Sequence, residues 1–147
     1  MKVVYSYFVM DIIHRGHLLM MKNSKAMAGE DGRLVVGIVS DEAVLKEKGA
    51  VPSLSFSERL ELAQAIRYAD LVVAQDDYSP LENITKLKPD ILMESEAHSP
   101  KVIEEAREFM DTIGGKVIVM PYFKGQSSEM IKNGILAGSK DKQGSNE

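Results

Sequence analysis

Lys2–Phe8 (KVVYSYF), Gly16–Ala28 (GHLLMMKNSKAMA) and Arg33–Val39 (RLVVGIV) decide how this chain folds. The first and third are apolar, β-branched runs of strand length. The segment between them carries Leu18, Leu19, Met21 and Met27 at roughly helical spacing, and Gly29 marks its stop. Strand, helix and strand in that order form a parallel crossover unit whose sheet is covered on both faces. The same alternation continues with strands expected at Leu71–Ala74, Asp90–Met93 and Lys116–Met120, five in all.

Helix starts are written in capping chemistry. Ser55 followed by Glu58 has capping-box spacing, and Ser79-Pro80-Leu81-Glu82 repeats it with proline at the first helical position. Ser99-Pro100 opens a helix through Met110 that Gly114-Gly115 ends, and Ser127 or Ser128 caps a last one through Leu136. The expected fold class is α/β: a doubly wound, five-stranded parallel sheet in one domain over residues 1–136. The polar stretch 137–147 reads as a disordered tail.

Composition removes several function classes. The 147 residues include no cysteine, which excludes a thiolate nucleophile, a cysteine-ligated metal centre and a disulfide framework. Lys+Arg number 18 against 22 Asp+Glu, a formal charge of −4, so there is no general footprint for nucleic acid or an anionic membrane. No run approaches the roughly 18 apolar residues of a bilayer span, and no signal-cleavage pattern is present, so the chain reads as cytoplasmic.

A doubly wound sheet binds ligands beyond the carboxyl ends of its strands, where the winding direction changes. The segments there are Asp11–His17, Glu94–Ser99 and Tyr122–Ser128. In the first, His14 and His17 flank Gly16 at a strand-to-helix turn, where free backbone N–H groups and the helix dipole attract anions. Gly16 admits close approach, and the imidazoles donate hydrogen bonds to phosphate oxygens. Ordinary capping histidines, or a metal site using Asp11, are the competing readings. In the last segment Gly125, Ser127, Ser128, Lys124 and Lys132 resemble a second anion cradle, although pure helix capping explains the serines equally. Lys46-Glu47-Lys48-Gly49 reads as a lysine-bearing loop, and His98 as a solvated loop histidine able to touch a second substrate.

Tyr7–His17, the Lys48-Gly49 loop leading to Ser57-Glu58-Arg59, Ile66–Asp70 and Gly125–Ser128 resemble the ordered motifs of the cytidylyltransferase-like nucleotidyltransferase superfamily, over roughly residues 1–135. Within it the chain is similar to glycerol-3-phosphate cytidylyltransferases and to the 2-hydroxyethylphosphonate cytidylyltransferase domains of phosphonate biosynthesis, with Pro121–Ser128 leaning to the latter. The resemblance implies a Rossmann-like fold, CTP with Mg²⁺, a small phosphate or phosphonate acceptor, pyrophosphate as product and a homodimer. It assigns His14, His17 and Lys48 to catalysis, and Val9, Met10, Asp11, Gly16, Arg67, Gly125, Ser127 and Ser128 to the nucleotide. Glu94, Glu96, His98 and Lys124 fall to the acceptor. An adenylyltransferase of the same superfamily, a nucleotide-binding regulatory domain without chemistry and a flavodoxin-like interaction domain remain as alternatives. Phe8 and Val9 stand where the family commonly has small residues, Glu94-Ser95-Glu96 where many members have Gly-Asp-Asp, and Glu129 adds negative charge beside the last motif.

Overall fold

In a computed structural model, which describes residues 1–121 and 131–137, five strands form at the expected places. They are β1 (Val3–Phe8), β2 (Arg33–Val39), β3 (Leu71–Gln75), β4 (Ile91–Ser95) and β5 (Lys116–Met120). The helices are α1 (Arg15–Ala28), α2 (Asp41–Lys48), α3 (Phe56–Gln64), α4 (Leu81–Leu87) and α5 (Pro100–Thr112), and residues 131–137 are helical. No helix among the described residues is long and apolar enough to cross a membrane.

The strand order is β3-β2-β1-β4-β5 and every pairing is parallel. The chain winds outward from β1 to β3, then returns to lay β4 on the other side of β1. The fold is therefore a Rossmann-like α/β sheet, with its reversal of winding between β1 and β4. That junction opens a crevice at the carboxyl ends of the two strands.

Alternating side chains build one core on each face of the sheet. Val4, Leu34, Val36, Ile38, Ile91 and Met93 pack on Met21 and Ala28 of α1 and Ala63 of α3. Tyr5, Tyr7, Val35, Val39 and Leu92 pack on the opposite face with Val44, Ile84, Ala106 and Met110. Burying one such side chain fully stabilises the fold by about 1.5–3 kcal/mol. On α1 the buried stripe is Met21, Ser24 and Ala28, while Leu18 and Met27, part of the apolar spacing that marked the helix, stay exposed.

Four local readings change. Lys46-Glu47-Lys48-Gly49 is not a loop: Lys46–Lys48 form the last turn of α2, which the Ser40 side chain caps at one end and Gly49, at φ 78°, closes at the other. Only Ala43 and Val44 of α2 are buried, so no apolar period announced it, yet acids in its first turn and lysines in its last suit the helix dipole. β4 runs to Ser95, which moves Glu94 from a loop onto the strand. Pro80 lies one residue before α4 rather than inside it, and the expected Ser79–Glu82 box is replaced by a single Leu81 N–H bond to Ser79 Oγ at 3.2 Å. Ser99 precedes α5 without a side-chain cap. By contrast Ser55 caps α3, its Oγ accepting from the Glu58 N–H at 3.3 Å. Lys124, Gly125, Ser127, Ser128, Glu129 and the tail from residue 138 lie outside the described residues.

Candidate functional site

The crevice at the β1/β4 junction is a cavity of about 890 Å³. His14, Gly16 and His17 line it, as do Val9, Met10, Asp11, Lys48 and His98, so eight residues singled out from sequence meet at one place. Lys132, on the helical segment 131–137, joins them. Glu94 is fully buried beneath the cavity. Arg67 and Glu96 are exposed and are not among the residues that line it; Arg67 lies over the Tyr68 ring, 5.2 Å from its centroid.

The two histidines form the first turn of α1. His14 is the N-cap, its Nδ1 accepting from the Gly16 N–H at 3.0 Å, while His17 Nδ1 accepts from the His14 N–H at 3.2 Å. This is a capping box built from imidazoles instead of a hydroxyl and a carboxylate. A nitrogen that accepts carries no proton, so both rings are neutral with the hydrogen on Nε2. Electrostatics agrees. Burial lowers His14 below the ordinary histidine range, and burial together with the neighbouring His14 pushes His17 down to about 4. The ring centroids are 4.0 Å apart, and Phe8 meets the His17 ring edge-on. The helix start thus offers fixed N–H donors to an anion without holding a charge that must be desolvated.

Met10 turns the chain at the end of β1 with φ 57°, a left-handed conformation unusual for a side chain of this size. Asp11 follows. Its Oδ1 accepts from the Leu54 N–H at 2.9 Å, and its Oδ2 pairs with Lys132. Burial acts to raise its pKa, but Lys132 and the N–H groups of Leu54 and Ser53 outweigh that and hold it below the usual carboxylate range. Asp11 is a strap across three segments.

Arg59, on α3, was quoted in a motif but given no role, and it is the hub of the site's frame. Its side chain is fully buried, donating to the carbonyls of Val9 at 2.7 Å, Val39 at 2.8 Å and Leu54 at 3.1 Å, and pairing with Asp41 at 2.7 Å. One planar, five-donor guanidinium thereby ties the ends of β1 and β2 to the start of α2 and the loop before α3. Lys48 at the end of α2 stands 5.9 Å from the Tyr78 ring centroid, so Tyr78 also belongs to the site.

On the β4 side, the Tyr7 hydroxyl donates to both Glu94 oxygens, at 2.8 and 3.0 Å, and His98 Nδ1 lies 2.5 Å from Glu94 Oε2. The His98 and Tyr7 rings stack with centroids 4.7 Å apart. His98 is therefore held rather than solvated, correcting the sequence reading, and Glu94 bonds two residues that line the cavity, Tyr7 and His98. Burial and the Glu94 charge raise the Tyr7 hydroxyl far above its ordinary range, so it acts as a fixed donor. The Glu94–His98 spacing of four was visible in sequence; the pairing of Tyr7 with Glu94, 87 residues away, was not.

Residues 9–134 match the family model described as cytidylyltransferase-like. The chain is 34% identical over 135 residues to the bifunctional protein HldE of Gluconobacter oxydans (strain 621H), covering 91% of this chain and 27% of that protein. It is 40% identical over 82 residues to the FAD synthase of Korarchaeum cryptofilum (strain OPF8), covering 56% of this chain and 55% of that one. The chain thus spans about a quarter of the HldE protein's length. Among solved structures, a lipopolysaccharide core biosynthesis protein from Thermoplasma volcanium GSS1 superposes with a TM-score of 0.68 at 24% identity, covering 86% of this chain and 99% of that one, a likeness of fold.

Proposed function

Because this chain belongs to the cytidylyltransferase-like family of nucleotidyltransferases, we propose that it transfers the CMP group of CTP to a small alcohol bearing a phosphate or phosphonate, releasing pyrophosphate. The observation that carries the reading is the imidazole capping box: two neutral rings whose Nε2–H donors stand at the start of α1 in the cavity. Such donors complement phosphate oxygens and the charge that builds on a departing pyrophosphate. An oxygen of the acceptor forms the new bond to the α-phosphorus in line, and the bond from that phosphorus to the pyrophosphate oxygen breaks. No covalent intermediate is needed, which fits a site rich in donors and cations. Lys48 supplies charge from the end of α2. From the sequence resemblance, Ser127 and Ser128 hold the outer phosphates and Gly125 lets them approach. Mg²⁺ enters with the triphosphate as part of the substrate.

The resemblance of Pro121–Ser128 to phosphonate cytidylyltransferase domains supports CTP. The FAD synthase relative, whose named product is an adenine dinucleotide, supports ATP as the second reading. Pyrophosphate release with Mg²⁺ and either CTP or ATP decides between them, against glycerol 3-phosphate, 2-hydroxyethylphosphonate, phosphocholine and FMN. Turnover with CTP and one small acceptor is the expected result. Turnover with ATP alone moves the assignment to adenylyl transfer, and nucleotide binding without pyrophosphate from any pair refutes catalysis.

A further inference from the structure

The cavity contains three imidazoles, and their hydrogen-bonding senses differ. His14 and His17 accept at Nδ1 from backbone N–H groups and so present Nε2–H outward. At His98 the Nδ1 partner is the Glu94 carboxylate, at 2.5 Å, which can only accept. The Tyr7 hydroxyl already donates to both oxygens of that carboxylate, leaving it in the role of acceptor. The Ser95 N–H also faces His98 Nδ1, at 3.4 Å, a distance too long to displace the shorter contact. A ring proton of His98 therefore sits on Nδ1, and in the neutral ring Nε2 carries a bare lone pair. One ring face lies on Tyr7, yet the side chain keeps 19% exposure and lines the cavity.

We propose that His98, neutral and paired with Glu94, is the selectivity element for the acceptor: through Nε2 it reads a hydrogen-bond donor, a hydroxyl or an ammonium, on the molecule that receives the nucleotidyl group. The proposal rests on the transfer reading above and deepens it. A bare nitrogen repels the phosphoryl oxygens that His14 and His17 attract. It thereby orients an acceptor with its anionic end away from His98 and its donor group toward it. An acceptor lacking that donor leaves the lone pair facing a partner it cannot bond, a mismatch that a polar pocket penalises more than a lost contact. Glu94 is a positioning residue here, since it sets which ring nitrogen holds the proton.

The test uses three probes that differ in one group: 2-hydroxyethylphosphonate, 2-aminoethylphosphonate and ethylphosphonate. With the wild-type chain, a donor-bearing probe should exceed ethylphosphonate in kcat/KM by roughly tenfold, the factor that one hydrogen bond of about 1.4 kcal/mol confers. Whichever of the two donor-bearing probes is preferred identifies the donor. Glu94→Gln should erase the preference without changing KM for the nucleotide. A Gln amide donates to Nδ1, moves the ring proton to Nε2 and turns the outward edge into a donor. A purely structural role for Glu94 would lower stability and leave the probe ratio alone. Nitrogen-15 NMR of the wild-type His98 ring needs neither variant nor turnover: a protonated Nδ1 with a bare Nε2 is expected at neutral pH. A proton on Nε2, or equal kcat/KM for all three probes, overturns the proposal. If no probe releases pyrophosphate, the transfer reading fails by itself. The preference is then read from the probe-induced shift of the His98 Nε2 resonance, and equal shifts overturn it.

Discussion

His14 does two jobs with two nitrogens, and one pair of substitutions separates them. As N-cap, its Nδ1 accepts from the Gly16 N–H; in the transfer proposed above, its Nε2–H donates to the phosphates. Asparagine is among the best N-cap residues, and its Oδ1 stands close to where the Nδ1 of histidine stands. His14→Asn therefore keeps the cap and deletes the outward donor, so its unfolding free energy should stay within about 0.5 kcal/mol of wild type. His14→Ala deletes both, and losing the cap costs about 1 kcal/mol, or roughly 2–4 °C in Tm for a chain of this size. Removing one preorganised donor to transition-state charge lowers kcat by about 10²–10³, and both variants should show that same loss. Thermal and urea unfolding give the first pair of numbers, and steady-state pyrophosphate release gives the second. A His14→Asn chain that retains kcat within about tenfold of wild type would falsify the donor role. If it were as unstable as His14→Ala, the cap geometry would be wrong instead.

Acidification supplies an independent check. Burial holds the folded His17 pKa at about 4, below the ordinary 6.5, so the unfolded chain binds the extra proton first. The stability contributed by neutral His17 is complete above about pH 6.5 and is lost as pH falls through 4, amounting to about 3 kcal/mol. Urea unfolding between pH 7.5 and 4 should then be steeper in pH for wild type than for His17→Gln, and parallel curves would refute the assignment. Arg59→Lys keeps the charge but not the planar fork, so of the four partners at Val9, Val39, Leu54 and Asp41 some lose their bond. A destabilisation of about 2–4 kcal/mol is expected, with weaker nucleotide binding because the frame of the cavity loosens. Calorimetric unfolding within about 0.5 kcal/mol of wild type would show that Arg59 is not the tie.

What was legible in the sequence is local. Five strands, the crossover after β1, the Ser55 cap and the His14-Arg15-Gly16-His17 turn all depend on neighbours within one or two turns, and all appear where the residues place them. Helix α2 escaped because its eight residues bury only two side chains; its signal lay in Ser40, the charge order and Gly49. Lys48, read as a loop residue, lines the cavity from the end of a helix. For Arg67 the neighbouring Tyr68 is its partner, and nothing in the residue itself could tell that from a place in the cavity.

By itself, then, the sequence determined the α/β class, the order of its strands and the helix start that carries His14, Gly16 and His17. Only the tertiary structure decided what each polar side chain faces. Arg59 is tied to Val9 across 50 residues, Asp11 to Lys132 across 121, and Tyr7 to Glu94 across 87. Periodicity and capping are short-range consequences of backbone geometry, so a chain displays them residue by residue. Which nitrogen of an imidazole holds its proton depends on the group packed against it. For His14 and His17 that group lies within three residues, but for His98 it is a carboxylate whose burial and whose Tyr7 partner exist only once β1 and β4 pair.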